Sequence, residues 1–130
     1  MKAPSLRDER GQSMTEFALV VPVLLLVLFA IVQLGVVFNH YVALTDAVRA
    51  GARVAAVSRQ SNDPVGDTTT KVKAASGDLD ASQVKVFVTP SVLVHGDDVV
   101  VKATYPYSIN LLGLVVASGD LTSTTTERVE

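Results

Sequence analysis

The chain has 130 residues, 48% of them apolar, a formal net charge of −2 and no cysteine. That length leaves room for one membrane helix and one small globular part, not for two independent domains. The charge balance offers no basic surface for nucleic acid, and the missing cysteines exclude a disulfide framework and any thiolate metal site.

Residues 1–10, M-K-A-P-S-L-R-D-E-R, are polar and carry Lys2, Arg7 and Arg10. From Phe17 to Phe38 the chain runs for 22 residues without a charged side chain. At about 1.5 Å per residue that is roughly 33 Å of helix, enough to cross a hydrocarbon core of about 30 Å. Only a helix can carry such a run, because lipid offers unpaired backbone groups no partner. A secretory signal has a shorter apolar core of about 7–15 residues and a small-x-small cleavage site, and neither condition is met well here. The basic residues ahead of the run, set against Arg49 and Arg53 behind it, favour an N-terminus in the cytoplasm. Glu16 sits at the start of the run. A carboxylate deep in a bilayer costs about 2.5–3.5 kcal/mol, so Glu16 either marks the headgroup boundary, helped by the first helical turn, or has a partner. Gln12, four residues earlier, is its neighbour on a helical face.

The stretch G-Q-S-M-T-E-F at residues 11–17, placed before an apolar helix, resembles the prepilin-peptidase site of type IV pilin-like proteins. The chain as a whole is similar to the TadE-like family of the tight-adherence (Flp) pilus system. The resemblance is carried by R-G-Q-x-x-x-E-F-A-L-V-x-P at 10–22, Y-V-A-L-T-D-A-V-R-A-G-A-R-V-A-A-V at 41–57, a late V-K-A-T-Y-P-Y and the closing T-S-T-T-T-E-R-V-E. It is weakest between Ser58 and Ser82. It implies a processing site at Gly11, Gln12, Glu16 and Phe17. Gly11 would end the leader, Gln12 would start the mature chain, Glu16 would align the subunit with a neighbour, and Phe17 would flank it in the recognised motif. A free ammonium on Gln12 could then neutralise Glu16 in the same or the next subunit. Cyclisation of an N-terminal Gln would remove that charge without affecting cleavage.

Pro22 lies inside the helix, where its missing N–H favours a bend or a hinge. Gln33 could bond to another helix, and Gly35 would permit close approach. Beyond Phe38, Tyr41, Leu44, Val48, Ala52 and Ala55 recur at spacings of three and four, with Asp46, Arg49 and Arg53 on another face. One continuous helix is expected from about Thr15 to Val57. Its alanine-rich stretch from Ala47 to Ala56, with Gly51, is narrow enough for a sheet to pack on. Residues 58–67 read as a loop, and Thr68–Ser76 as a short helix capped by Asp67 and stopped at Gly77. Gln83–Thr89 and Asp98–Tyr105 alternate as strands, with a turn at H-G-D-D, and Leu121–Val129 reads as a third strand. Ser108–Ser118 is apolar but too short to span, and reads as a buried connector between the second and third strands. If exposed, its Ile109, Leu111, Leu112, Leu114, Val115 and Val116 would form a contact surface for a partner or a membrane.

No enzyme motif is present: no G-x-S-x-G, no H-E-x-x-H and no P-loop. Asp78 with Asp80, and Asp97 with Asp98, lack EF-hand spacing and stand where turns favour Asp. His40 and His95 are too few to build a metal site alone. No catalysis, cofactor, metal or small-molecule substrate is therefore expected.

The fold expected is α+β. A leader at 1–11 precedes a long helix at 12–57, transmembrane over about 17–38 and extracytoplasmic over 39–57. A small β-rich domain at 58–130, with an antiparallel sheet of about three strands, packs on the helix. The resemblance implies a minor pseudopilin, processed by prepilin peptidase and involved in assembling a pilus for adhesion. Its partners would be the membrane, prepilin peptidase, other pilins or pseudopilins and the pilus assembly platform. It would sit in a bacterial cytoplasmic membrane as a single-pass protein, N-terminus inside and C-terminal domain outside, able to enter an extracellular pilus. The alternatives are an uncleaved single-span protein presenting a small binding domain, and a major pilin of the shaft.

Overall fold

A computed structural model describes residues 6–130, with side chains from Gly11 onward; residues 1–5 of the expected leader lie outside the described residues. The first helix, α1, runs from Leu6 to Val57 and passes through Pro22. It begins earlier than Thr15 because nothing between Leu6 and Thr15 forbids a helix. The only weak former there is Gly11, at a cost of about 1 kcal/mol. A single turn of 3₁₀-helix (Ser58–Gln60) follows, then α2 (Pro64–Ala74) and three strands, β1 (Lys85–Thr89), β2 (Asp98–Leu111) and β3 (Leu114–Arg128).

The two halves of α1 differ. Leu44, Ala47, Val48, Ala52, Ala55 and Ala56 are buried at the three- and four-residue spacing of a core-facing helix. From Gly11 to Phe38 no residue is buried, and the long apolar side chains stand open. Tyr41, expected on the core stripe, is 44% exposed and marks where the cover thins.

The sheet is antiparallel in the order β1-β2-β3. Its inner face presents Val86 and Val88 from β1, Val99, Val101, Ala103 and Tyr105 from β2, and Leu121 and Ser123 from β3. Lys85, Phe87 and Lys102 face outward, as the period of two requires. β2 and β3 lie against α1, while α2 bridges α1 and β1. The C-terminus fastens the layers. Glu130 N–H donates to the Ala56 carbonyl near the end of α1 (2.9 Å), Gly96 N–H to the Val129 carbonyl (2.9 Å) and Val129 N–H to the Asp97 carbonyl (2.9 Å). The first of these bonds satisfies a carbonyl that a helix end leaves without a partner. Gly96 takes a φ of +87°, as the H-G-D-D turn requires.

Three sequence expectations are corrected. The second helix starts at Pro64 and is capped by Asp63, whose carboxylate accepts from Gly66 N–H at 2.9 Å. Asp67 instead lies inside its first turn, bonded by the Ser61 hydroxyl. Asp63-Pro64 is an N-cap followed by a proline at N1, where the missing N–H costs nothing. The narrow side of α1 receives the sheet, as expected, but at Gly51 it also receives this second helix, Val72 and Thr68 in particular. The third correction concerns Ser108–Ser118, which is no buried connector. It is the distal arm of a continuous β2–β3 hairpin, paired Ser108↔Ser118 and Ile109↔Ala117, with a register shift next to Asn110 and a closing pair Leu111↔Leu114. Leu112 (81% exposed), Leu114 and Val115 stand open at its tip.

The Gly51 contact makes a test. A Cβ there would overlap Val72 Cγ2, whose branched side chain is fully buried and cannot swing away. Ala is the better helix former by up to about 1 kcal/mol, yet overpacking typically costs 1–3 kcal/mol, so the clash prevails. Gly51→Ala is expected to lower the unfolding free energy of the detergent-solubilised chain by about 1–2 kcal/mol. Adding Val72→Ala should cost less in the Gly51→Ala background than alone, read by denaturant unfolding in a double-mutant cycle.

Candidate processing and assembly site

Gly11, Gln12, Glu16 and Phe17 all lie on α1, within its first three turns or so. A Cβ on Gly11 would meet nothing within 4 Å, and Phe17 is 70% exposed, so this strip stands free of the folded domain. The i,i+4 relation places Gln12 beside Glu16, and the Gln12 Nε2 amide donates to Glu16 Oε1 at 3.1 Å. The Thr15 hydroxyl donates to the Gly11 carbonyl at 2.9 Å. Sequence reading missed that bond, although the four-residue spacing of a Thr inside a helix is its signal. The Gly11–Gln12 peptide is thus held in helical form, and attack on it needs these turns to open locally.

The helix continues through the apolar run. One helix among the described residues is long and apolar enough to cross a membrane, and the apolar window within it is 0% buried in the fold. This single apolar helix near the N-terminus is that of a membrane-anchored protein. Gln33, half-buried near the end of the run, donates from Nε2 to the Asn110 carbonyl of the hairpin at 3.3 Å. His40 meets Tyr105 edge-on, with ring centroids 5.5 Å apart. Asp46 and Arg49 approach to 3.7 Å with both side chains well exposed, a solvated pair worth little.

The acidic pairs are turn residues. The Asp80 carboxylate accepts from Ser82 N–H (2.9 Å), the Ser82 hydroxyl (2.6 Å) and Gln83 Nε2 (3.0 Å). These bonds, that of the Ser82 side chain first, then Gln83 and the Ser82 backbone, hold its pKa below the ordinary carboxylate value. No group of three or more His, Asp or Glu side chains among the described residues is arranged to hold a metal ion. Because the folded-state pKa of Asp80 is depressed, its small contribution to stability is present above the unfolded value and is lost as pH falls through the folded one. A carboxyl NMR titration should show Asp80 deprotonating below the ordinary aspartate value, with Ser82→Ala moving it upward.

A family model described as TadE-like protein matches residues 11–53. No curated protein and no solved structure matches the chain. The matched stretch begins at Gly11, takes in the whole apolar run and ends on the core-facing part of α1, before α2 and the sheet. Over residues 11–53 the chain is similar to TadE-like proteins, and the helix is the part that carries the likeness.

Proposed function

We propose that the chain is a minor pseudopilin of a tight-adherence pilus. Prepilin peptidase cuts it between Gly11 and Gln12, and the assembly platform draws it from the membrane into a filament or its base. The observation that carries this reading is one of placement. The Gly11–Phe17 strip lies exposed near the head of a helix whose next 21 residues carry no charge and include none that is buried, while the core of the folded domain takes only the far half. A surface of that kind suits lipid first and neighbouring helices later.

In this reading the N-terminus stays in the cytoplasm and the domain after Phe38 lies outside. Glu16 takes no part in catalysis. It sits beside Gln12, so after cleavage the new ammonium of Gln12, its own or a neighbour's, faces a carboxylate in a dry helix stack. A charge pair there fixes axial register, because any other register leaves Glu16 unpaired in an apolar core. The chain is a substrate and a building block, and none of its residues has a catalytic task.

Intact mass and N-terminal sequence, from cells with and without prepilin peptidase, test the proposal. The expected result is a peptidase-dependent start at Gln12. Gly11→Ala should abolish it, because the side chain obstructs the scissile position. Glu16→Ala should leave the cut intact while removing the protein from sheared filaments. A chain starting at or near Met1 in both strains would instead favour an uncleaved anchor presenting its small domain.

A further inference from the structure

We propose that the β2–β3 hairpin is a second membrane element. Its apolar tip, Leu111–Val116, lies in the acyl chains of the outer leaflet beside α1, and Gln33 with Asn110 marks the bilayer surface. The proposal rests on the reading of α1 as a membrane span.

Three contacts fix the course of the arm. Tyr105 sits against His40, the Asn110 carbonyl accepts from Gln33, and Leu112 lines a cleft with Pro22, Leu25, Leu26 and Phe29. From Tyr105 to Leu112 the strand advances about 23 Å, at roughly 3.3 Å per residue. From His40 back to Leu26 the helix covers about 21 Å, at 1.5 Å per residue. The two agree, so the arm lies lengthwise on the helix. Where the helix enters lipid at that level, the tip enters with it.

Composition changes sharply along the arm. Ser108, Asn110, Ser118 and Asp120 stand on its upper part, and then comes L-L-G-L-V-V. Leu112 and Gly113 form the two-residue turn, with φ of +51° and +86°. Such turns favour Asn, Asp or Gly at the first position, and a Leu held at positive φ is strained. Here the strained residue is also the most exposed of the large apolar side chains. In water that combination has no compensation, whereas beside acyl chains the exposed leucines and valines are in their own solvent.

The polar residues set the depth. The 20 residues from Met14 to Gln33 span about 30 Å as a helix, the thickness of a hydrocarbon core. That places Glu16 about 3 Å inside the inner boundary, within reach of the headgroups, and sets the outer boundary five residues before the end of the uncharged run at Phe38. Leu34, Val37 and Phe38 then lie above the bilayer, where they share an apolar groove with Tyr107, Ile109 and Leu121. The tip below Asn110 penetrates about 10 Å, and its closing pair Leu111↔Leu114 satisfies part of its own backbone. Setting the surface at Phe38 instead would add the longer free edges of the upper arm, with Ser108 and Ser118, to the short ones that the tip already places in hydrocarbon.

Because the chain has no cysteine, single-cysteine labels report without interference. An environment-sensitive dye would be placed at Leu114→Cys, at Val27→Cys on the exposed side of the helix, and at Val92→Cys on the exposed loop after β1. The full chain would be reconstituted in phosphatidylethanolamine–phosphatidylglycerol vesicles. Lipids brominated within the acyl chains are expected to quench Leu114 and Val27 by about half, since both labels lie inside the core, while aqueous iodide leaves them unaffected. Val92 should respond to iodide alone. Quenching of Val27 by bromine and of Leu114 by iodide alone would put the hairpin in water and overturn the proposal. Protection of Leu114 from both quenchers, with energy transfer between labelled copies, would assign the tip to a second copy and overturn it as well. Failure of Val27 itself to be quenched would remove the membrane reading of the helix, and the proposal with it.

Discussion

The packing of a three-stranded sheet on the alanine-rich outer half of α1 is the interaction on which the rest depends. A sheet of this size with one bare apolar face is not stable alone, and a domain of about 70 residues has too thin a core to supply a second cover. Leu44, Val48, Ala52 and Ala55 provide that cover, and they are completely buried against Val99, Val101, Ala103 and Val129. Small side chains on the helix let the sheet approach closely, and Gly51 does the same for α2. The helix gains in return, since an isolated amphipathic segment draws most of its stability from tertiary contact.

One consequence is that the two halves of α1 have different solvents but a single geometry. Rotation or translation of the buried half carries the bare half with it, because the helix runs on through Pro22. The TadE-like match crosses the boundary between these halves, from Gly11 to Arg53. What the family model describes is therefore neither a membrane anchor nor a globular domain, but the rod that joins them. The sheet, α2 and hairpin are carried by that rod.

Much of this architecture was legible because its periods are simple. The uncharged run fixed a span-length helix, the spacing from Leu44 to Ala55 fixed the core face, and the alternation from Val99 to Tyr105 fixed the inner face of β2. What failed, failed for physical reasons. Asn62, Asp63, Pro64 and Gly66 looked like a loop by composition, but Asp-Pro is also the opening of a helix, and only the Asp63 bond to Gly66 distinguishes the two. The start of α1 lies earlier than Thr15 because Gly11 costs a helix only about 1 kcal/mol. The hairpin arm reads as a connector because an apolar run of this length has no period that separates a buried segment from an exposed one. Its one local signal was Leu-Gly between Leu111 and Leu114, the positive-φ pair of a two-residue turn. The Gly11–Phe17 strip stands out as a motif, but the Thr15 bond to the Gly11 carbonyl depends on helical form and shows only in a helix that extends past it.

The mutual dependence of rod and sheet is tested most directly by amide hydrogen exchange on the full chain in lipid nanodiscs, with and without Val101→Ala. This substitution opens a cavity under the centre of the sheet at a cost of a few kcal/mol. Amides of residues 44–56 and of β2 should lose protection together and by similar factors in the variant, while residues 17–33 remain protected by lipid. Persistence of full protection over 44–56 while β2 exchanges freely would mean that the outer helix stands without the sheet, and would contradict the dependence described here.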